Sequence, residues 1–356
     1  MSRSSAGRIL QGALALVGLG LFISLVREID WAAIDAFAPS SVLVLVATIA
    51  VLAVINYTFD TLSWWLTCGP KRPSFLALTS LRLRCEAVTN ILPGGAMIGE
   101  PMKVALLVES AGMTRAEAAT SFLLSKFAII CGHIGYVVVG IALSYSLVNR
   151  ASDSVFGTAD VATLALAIAL GLFVVLLAML AAMVWVRPMA RWLLPSRRQG
   201  RWHGRWNTLV AELQRVEELV GDATRNGAGR LALALACGFI AWSFNAIEAY
   251  VILRWIGVEL GFADVYAIDA VSSIVRMILF VVPIGIGGQD WAITGLMTAH
   301  GVAAPVQTSA ALVLFKRGRE FAVVAIGLVM LLAAARVRRP AVVEEAEAPA
   351  ESEAPV

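Results

Sequence analysis

Residues 304–335 read APVQTSAALVLFKRGREFAVVAIGLVMLLAAA, an apolar run interrupted by Lys316, Arg317, Arg319 and Glu320. The fifteen residues after Glu320 are apolar. They are too few to cross a ~30 Å hydrocarbon core comfortably, so the four charges belong inside one longer helix. Roughly twelve residues from its start, at 1.5 Å per residue, places them ~18 Å deep. Facing lipid, each would cost about 2.5–3.5 kcal/mol, and four together on the order of 10 kcal/mol. They must face protein, water or a lipid head group. One reading is an internal ion-pair network that only holds helices together, for instance Glu320 with Arg317 or Asp290 with Lys316. The other is a polar track that carries a charged head group, which the usual role of intramembrane ionisable residues favours.

Composition agrees. Hydrophobic residues are 59% of the 356 positions and charged residues 15%, against about 45–50% and 25% in soluble domains. Cys68, Cys85, Cys131 and Cys237 are scattered through apolar stretches without a CxxC pair, as small buried hydrophobes are. Three histidines at unrelated spacings argue against a metal centre, and no cofactor is expected. A formal net charge of +3 gives no reason to expect nucleic acid as a partner. The apolar run after Arg3 and Arg8 has no A-x-A-like cleavage site, so it reads as a retained anchor.

Candidate spans are residues 7–26, 41–66, 116–148, 161–186, 231–253 and 304–335. Two apolar but interrupted segments lie between them, 73–110 and 262–301. The first is broken by Arg82, Arg84, Glu86 and Pro93-Gly94-Gly95, the second by Asp269, Arg276 and Pro283-Ile284-Gly285. Each splits into two short legs, as a re-entrant helical hairpin or a pair of ordinary spans with a Pro/Gly loop would. The positive-inside rule places both termini and the Arg-rich segment 187–230 inside. Loops 27–40 and 149–160 and the stretch around Glu259 and Asp264 fall outside. Trp31, Trp64, Trp65, Trp185 and Trp255 stand near span ends, where interface anchors sit. Leu209, Leu213, Val216 and Val220 form an apolar helical stripe in the inside segment, on the membrane surface or against the protein. The domain order is an anchor and outside loop (1–40), a first membrane half (41–186), an amphipathic linker (187–230) and a second half (231–339). Residues 340–356, rich in Pro, Ala and Glu, should be disordered.

The halves align internally. With Pro93 over Pro283, Glu100 falls on Asp290 and Lys126 on Lys316, while Gly112 meets Gly301 with a one-residue slip. The first hairpin enters from inside and the second from outside, as inverted repeats require. Helix N-termini near Met97–Glu100 and Gly287–Asp290 would aim positive dipole ends at a midplane site, suited to an anionic head group.

The segments Leu92-Pro-Gly-Gly-Ala-Met-Ile-Gly-Glu100 and Val282-Pro-Ile-Gly-Ile-Gly-Gly-Gln-Asp290, with Phe315-Lys-Arg-Gly-Arg-Glu320, resemble the membrane-domain family of lysylphosphatidylglycerol synthases, a flippase-like family. The resemblance spans roughly residues 5–335. Asp290 stands where that family usually has Glu, and Lys126 where Arg is commoner, which weakens a bidentate phosphate contact. The Lys-Arg-x-Arg-Glu stretch also looks like the branch found with hopanoid biosynthesis. The resemblance implies a bacterial inner-membrane protein that moves polar lipids between leaflets. Lysyl transfer in the family belongs to a separate soluble domain, and no segment of this sequence reads as one.

The expectation is an all-α integral membrane protein of about six transmembrane helices plus two re-entrant or short helical hairpins, arranged as inverted repeats. Its function is transbilayer movement of a polar lipid, phospholipid or hopanoid-type. Gly94, Gly95, Gly99, Gly285, Gly287 and Gly288, beside Pro93 and Pro283, would let backbone approach a head group. Arg82, Arg84, Lys126, Arg276, Lys316, Arg317 and Arg319 would neutralise phosphate, while Glu100, Asp290 and Glu320 would fix helix ends or gate. A second class is a non-catalytic subunit that partners a lipid- or glycan-modifying enzyme through the linker. An enzyme is not expected, because no HExxH, G-x-S-x-G or paired-histidine motif occurs.

Overall fold

Two prolines open long helices: Pro39 begins α1 (Pro39–Thr67) and Pro305 begins α9 (Pro305–Glu347). At a first helical position the missing N–H costs nothing. Between them run α2 (Phe75–Ile91), α3 (Ala96–Ala111), α4 (Arg115–Leu143), α5 (His203–Asn226), α6 (Ala228–Trp255), α7 (Phe262–Ile278) and α8 (Gly288–His300). The computed structural model describes residues 39–91, 95–146, 203–278 and 288–347, with isolated positions between 149 and 178. The expected span 7–26, most of the span 161–186, the outside loop around residue 155 and the breaks carrying Pro93, Gly94, Pro283, Gly285 and Gly287 lie outside those residues.

Among the described residues, three helical stretches are long and apolar enough to cross a membrane: Ser41–Thr67, Arg115–Leu143 and Ala228–Trp255. All the described elements are helices. The chain is a multi-pass membrane protein. The two interrupted segments do split into paired legs, with α2 packed on α3 and α7 on α8. Legs of 17, 16, 17 and 13 residues measure about 20–26 Å each, shorter than a full span.

Local chemistry sets the joints. Gly112 (φ 60°) and Gly301 (φ 80°), which met in the sequence alignment, both close a short leg in the left-handed region that glycine tolerates. Thr114 caps α4 through a capping box: its Oγ1 accepts the Glu117 N–H at 3.2 Å, and Glu117 Oε2 accepts the Thr114 N–H at 2.7 Å.

Helices α1, α2, α3 and α4 begin at residues 39, 75, 96 and 115, and α6, α7, α8 and α9 at 228, 262, 288 and 305. The second set therefore follows the first by 187 to 192 residues throughout. Packing follows the same exchange. Helix α2 lies on α9 as α7 lies on α4, and α3 meets α4 as α8 meets α9; α1 and α6 make the longest contact between the sets. Small residues let these helices close up. A Cβ on Gly327 of α9 would overlap the Leu83 carbonyl of α2, and one on Gly140 of α4 would come within 2.5 Å of Ala270 Cβ on α7. Gly132 and Gly238 do the same where α4 crosses α6.

Several expectations change. Trp64 is no interface anchor: it is 4% exposed and donates from Nε1 to Ser121 Oγ at 3.1 Å, because α4 packs over the end of α1. Trp65 keeps its place near the boundary, donating to the Pro73 carbonyl with Arg72 stacked 3.8 Å over its ring. In the linker stripe, Val220 is buried while Leu213 stays exposed, so α5 turns its later part against α4 and α6. Helix α9 continues to Glu347, past residue 340 where disorder was expected. Ala and Glu are strong helix formers, and prolonging an existing helix needs no new nucleus. All four cysteines are buried and unpaired, as expected.

Candidate functional site

Along α1, Leu45 and Ile49 belong to one apolar cluster and Trp64 and Cys68 to another, with Tyr57 and Asp60 between them. Among the described residues, the buried charged side chains are Arg82, Lys103, Glu248, Asp269, Asp290, Lys316 and Arg317. Lys126 stands eleven residues into α4 and Lys316 eleven residues into α9, about 16 Å along either helix.

The first group joins α1 to α4. Arg82 is ion-paired with Asp60 and donates from Nε to Glu86 Oε1 at 2.7 Å, its guanidinium lying 5.0 Å from the Tyr57 ring centre. Glu100 accepts from Lys126 at 2.9 Å and from Lys103 at 3.2 Å. The lysine side chains differ in access: Lys103 is 9% exposed and Lys126 39%. Beside Lys126, the apolar side chains of Met97, Ile98 and Leu123 are exposed too.

The second group joins α6 to α9 and is closed. Lys316 is ion-paired with Asp269, which also accepts from the Tyr136 hydroxyl at 2.7 Å. Arg317 donates to Asp290 and to Glu320, both at 2.6 Å. Arg319 Nη1 lies 2.9 Å from Glu248 Oε2. His133 stacks on Trp242 with ring centres 3.9 Å apart and bonds Ser273 Oγ at 2.6 Å, a packing role. A cavity of about 20 Å³, bordered by Trp242, Asn245, Gln289, Arg317, Arg319 and Glu320, has room for a water molecule.

Tyr57 links the two groups. It sits within electrostatic reach of Arg82 and Glu86 on one side and of Arg319 and Glu320 on the other. Glu86 likewise feels Lys103 and Lys126. The result is one polar layer crossing the helix bundle, in which these cations already have carboxylate partners. A phosphate entering it must displace or share a carboxylate rather than meet bare positive charge.

The family described as the lysylphosphatidylglycerol synthase TM region matches residues 9–327. The chain belongs to this family. No curated protein and no solved structure matches it. Within this lysylphosphatidylglycerol synthase TM-region protein, the expected residues divide unevenly.

Arg82, Glu100, Lys126, Asp290, Lys316, Arg317, Arg319 and Glu320 all enter the polar layer. Glu320 pairs with Arg317 as the ion-pair reading had it, but Asp290 takes Arg317 rather than Lys316, because Asp269 on α7 claims the lysine. Arg84 joins neither group: its Nε turns back to the Ser80 carbonyl of its own helix at 3.2 Å. Gly99 is a packing position rather than a head-group contact, since a Cβ there would overlap Thr89 Oγ1 on α2. Gly95 is the buried residue preceding α3, and Gly288 opens α8. The Arg276 side chain, like the five residues of the Pro/Gly breaks, lies outside the described residues.

Sequence reasoning passed over Asp60, Lys103, Glu248 and Tyr136 as site residues. Asp60 and Glu248 carried a usable signal, each being a carboxylate inside an otherwise apolar span. Tyr136 carried none, since a tyrosine in a helix reads as packing until its partner is known.

Proposed function

We propose that this protein moves a polar membrane lipid between leaflets, its head group passing along the charged layer. One observation carries the reading: buried ionic side chains pair from helix to helix inside the bundle, and among these carboxylate-paired cations Lys126 is 39% exposed. A half-buried lysine at that depth, on a bundle face where Leu123 one turn earlier is exposed, offers a head group a place to leave the bilayer sideways. Membership of the lysylphosphatidylglycerol synthase TM-region family supports a lipid-related role.

The matching helix starts and exchanged packing support an inverted repeat, with the halves meeting at the charged layer and the short legs as re-entrant hairpins. The loop charges support cytoplasmic termini, and the family resemblance supports a bacterial inner-membrane location. No catalytic chemistry is assigned: the layer holds and releases a head group, phospholipid or hopanoid-type.

Purified protein in vesicles carrying a trace of labelled anionic phospholipid tests the reading. The wild type should equilibrate the label between leaflets, and Glu100→Gln and Lys126→Gln should each slow it at least roughly tenfold while remaining monodisperse in detergent. No movement by folded wild-type protein would remove the proposal and favour a subunit that anchors a lipid- or glycan-modifying enzyme. Full rates in both variants would remove the charged layer as the path.

A further inference from the structure

Glu248 is a carboxylate on α6 that is 1% exposed, and among the described residues neither of its oxygens has a hydrogen-bond donor. Arg319 Nη1 stands 2.9 Å from Oε2, close enough for an ion pair but without hydrogen-bond geometry. Arg319 is itself loosely held: both its terminal nitrogens are 3.5 Å from Asn245 Oδ1, and Nη2 is 4.0 Å from Glu320 Oε1. Arg317, two residues earlier, is gripped by two carboxylates at 2.6 Å each. The contrast marks Glu248–Arg319 as held less tightly than Arg317 and its two carboxylates.

An ionised carboxylate buried without donors keeps much of its desolvation cost, and its neutral form does not. The groups facing Glu248 make a near-balanced field. Lys316, Arg319 and Glu320 face it from α9 and Asp269 from α7. Helices α1 and α4 meet this group through hydroxyls, Tyr57 beside Arg319 and Tyr136 donating to Asp269. Helix α5 joins α6 through Gly227, at the opposite end from Glu248. Arg319 borders the cavity of about 20 Å³, so a water that can bring or take a proton fits beside the guanidinium that Glu248 holds.

We propose that Glu248 is a proton-binding site that controls Arg319: ionised it retains the guanidinium, and protonated it frees Arg319 to fork onto the phosphate of a lipid head group. The step is one proton passing from water to the carboxylate and back, with no other bond made or broken. Substrate capture on Arg319 rests on the lipid-moving reading; protonation of Glu248 does not. Glu248 stands seven residues before the end of α6, about 10 Å along the helix from the side whose loop charges read as outside. Outside protons would then drive the release of Arg319.

Two measurements separate the parts. Infrared difference spectra of the reconstituted wild type between about pH 5 and about pH 8 should show a buried protonated-carboxyl band that Glu248→Gln removes. If that variant does not purify folded, Glu248→Asp should shift the band. A wild type without such a band, or a band left unchanged by the substitution, overturns the proton site whether or not lipid moves. In vesicles, an acid-outside gradient of about 2 pH units should speed labelled anionic lipid roughly tenfold or more in the wild type and not at all in Glu248→Gln. An equal response in both proteins overturns it as well. A Glu248-dependent band in a protein that moves no lipid keeps the proton site and discards the lipid-moving reading.

Discussion

The acids Glu100 and Asp290 stand near the starts of the short legs α3 and α8, each facing basic residues on the long helix that follows, yet the two surroundings differ. Glu100 is 23% exposed and shares two lysines, one of which is 39% exposed. Asp290 is 2% exposed and locked by Arg317, itself 4% exposed and also bound to Glu320. The open site uses lysines, point charges on flexible stems, while the closed site uses a planar guanidinium that bridges two carboxylates. The lesson is that similar sequence positions became a partly open pair in one half and a sealed fastening in the other.

The largest expected effect falls on the fastening. Arg317→Ala takes from Asp290 and Glu320 the cation that bonds them both and should cost about 3–5 kcal/mol, read as a lowered unfolding midpoint in detergent. A loss below about 1 kcal/mol would mean that the closed site is no tighter than the open one. Next comes the helix contact behind it. Gly327→Ala pushes α9 off the Leu83 carbonyl and should cost about 1–3 kcal/mol, whereas Gly318→Ala, with nothing within 4 Å of its Cβ, should stay within about 0.5 kcal/mol. Equal melting of those two variants would deny the close approach of α9 to α2. Tyr136→Phe removes one hydroxyl from Asp269 and should cost about 1 kcal/mol, leaving the Lys316 pair intact. Lys126→Ala should also change stability little, by under about 1 kcal/mol, because that side chain is 39% exposed. Its lipid movement in vesicles should nonetheless fall most among these five variants, and a normal rate would erase the functional distinction between the open site and the closed one.

Much of this was legible in the residues. Lys316, Arg317, Arg319 and Glu320 announced a buried charged group because hydrocarbon tolerates none of them unpaired. The pairing of Gly112 with Gly301 anticipated two left-handed turns in like places. Partner choice was not legible. Whether Lys316 meets Asp290 or Asp269 depends on how α7 and α8 lie against α9, and residue spacing on single helices says nothing of distances between them. Gly99 shows the same limit: a glycine beside a turn reads equally as head-group space or as helix contact, until Thr89 is found against it.

The sequence by itself determined that this chain lives in a bilayer, where its interruptions fall, and that ionic groups must be hidden within it. Each of those follows from a local cost: burying apolar surface, breaking a helix at Pro or Gly, or placing charge in hydrocarbon. Only the tertiary structure decided which cation holds which carboxylate, that Lys126 is partly exposed while Arg317 is sealed, and that Glu248 has no hydrogen-bond donor among the described residues. Those outcomes depend on how the helices pack, since a few ångströms between neighbouring helices separate a closed ion pair from an orphaned one.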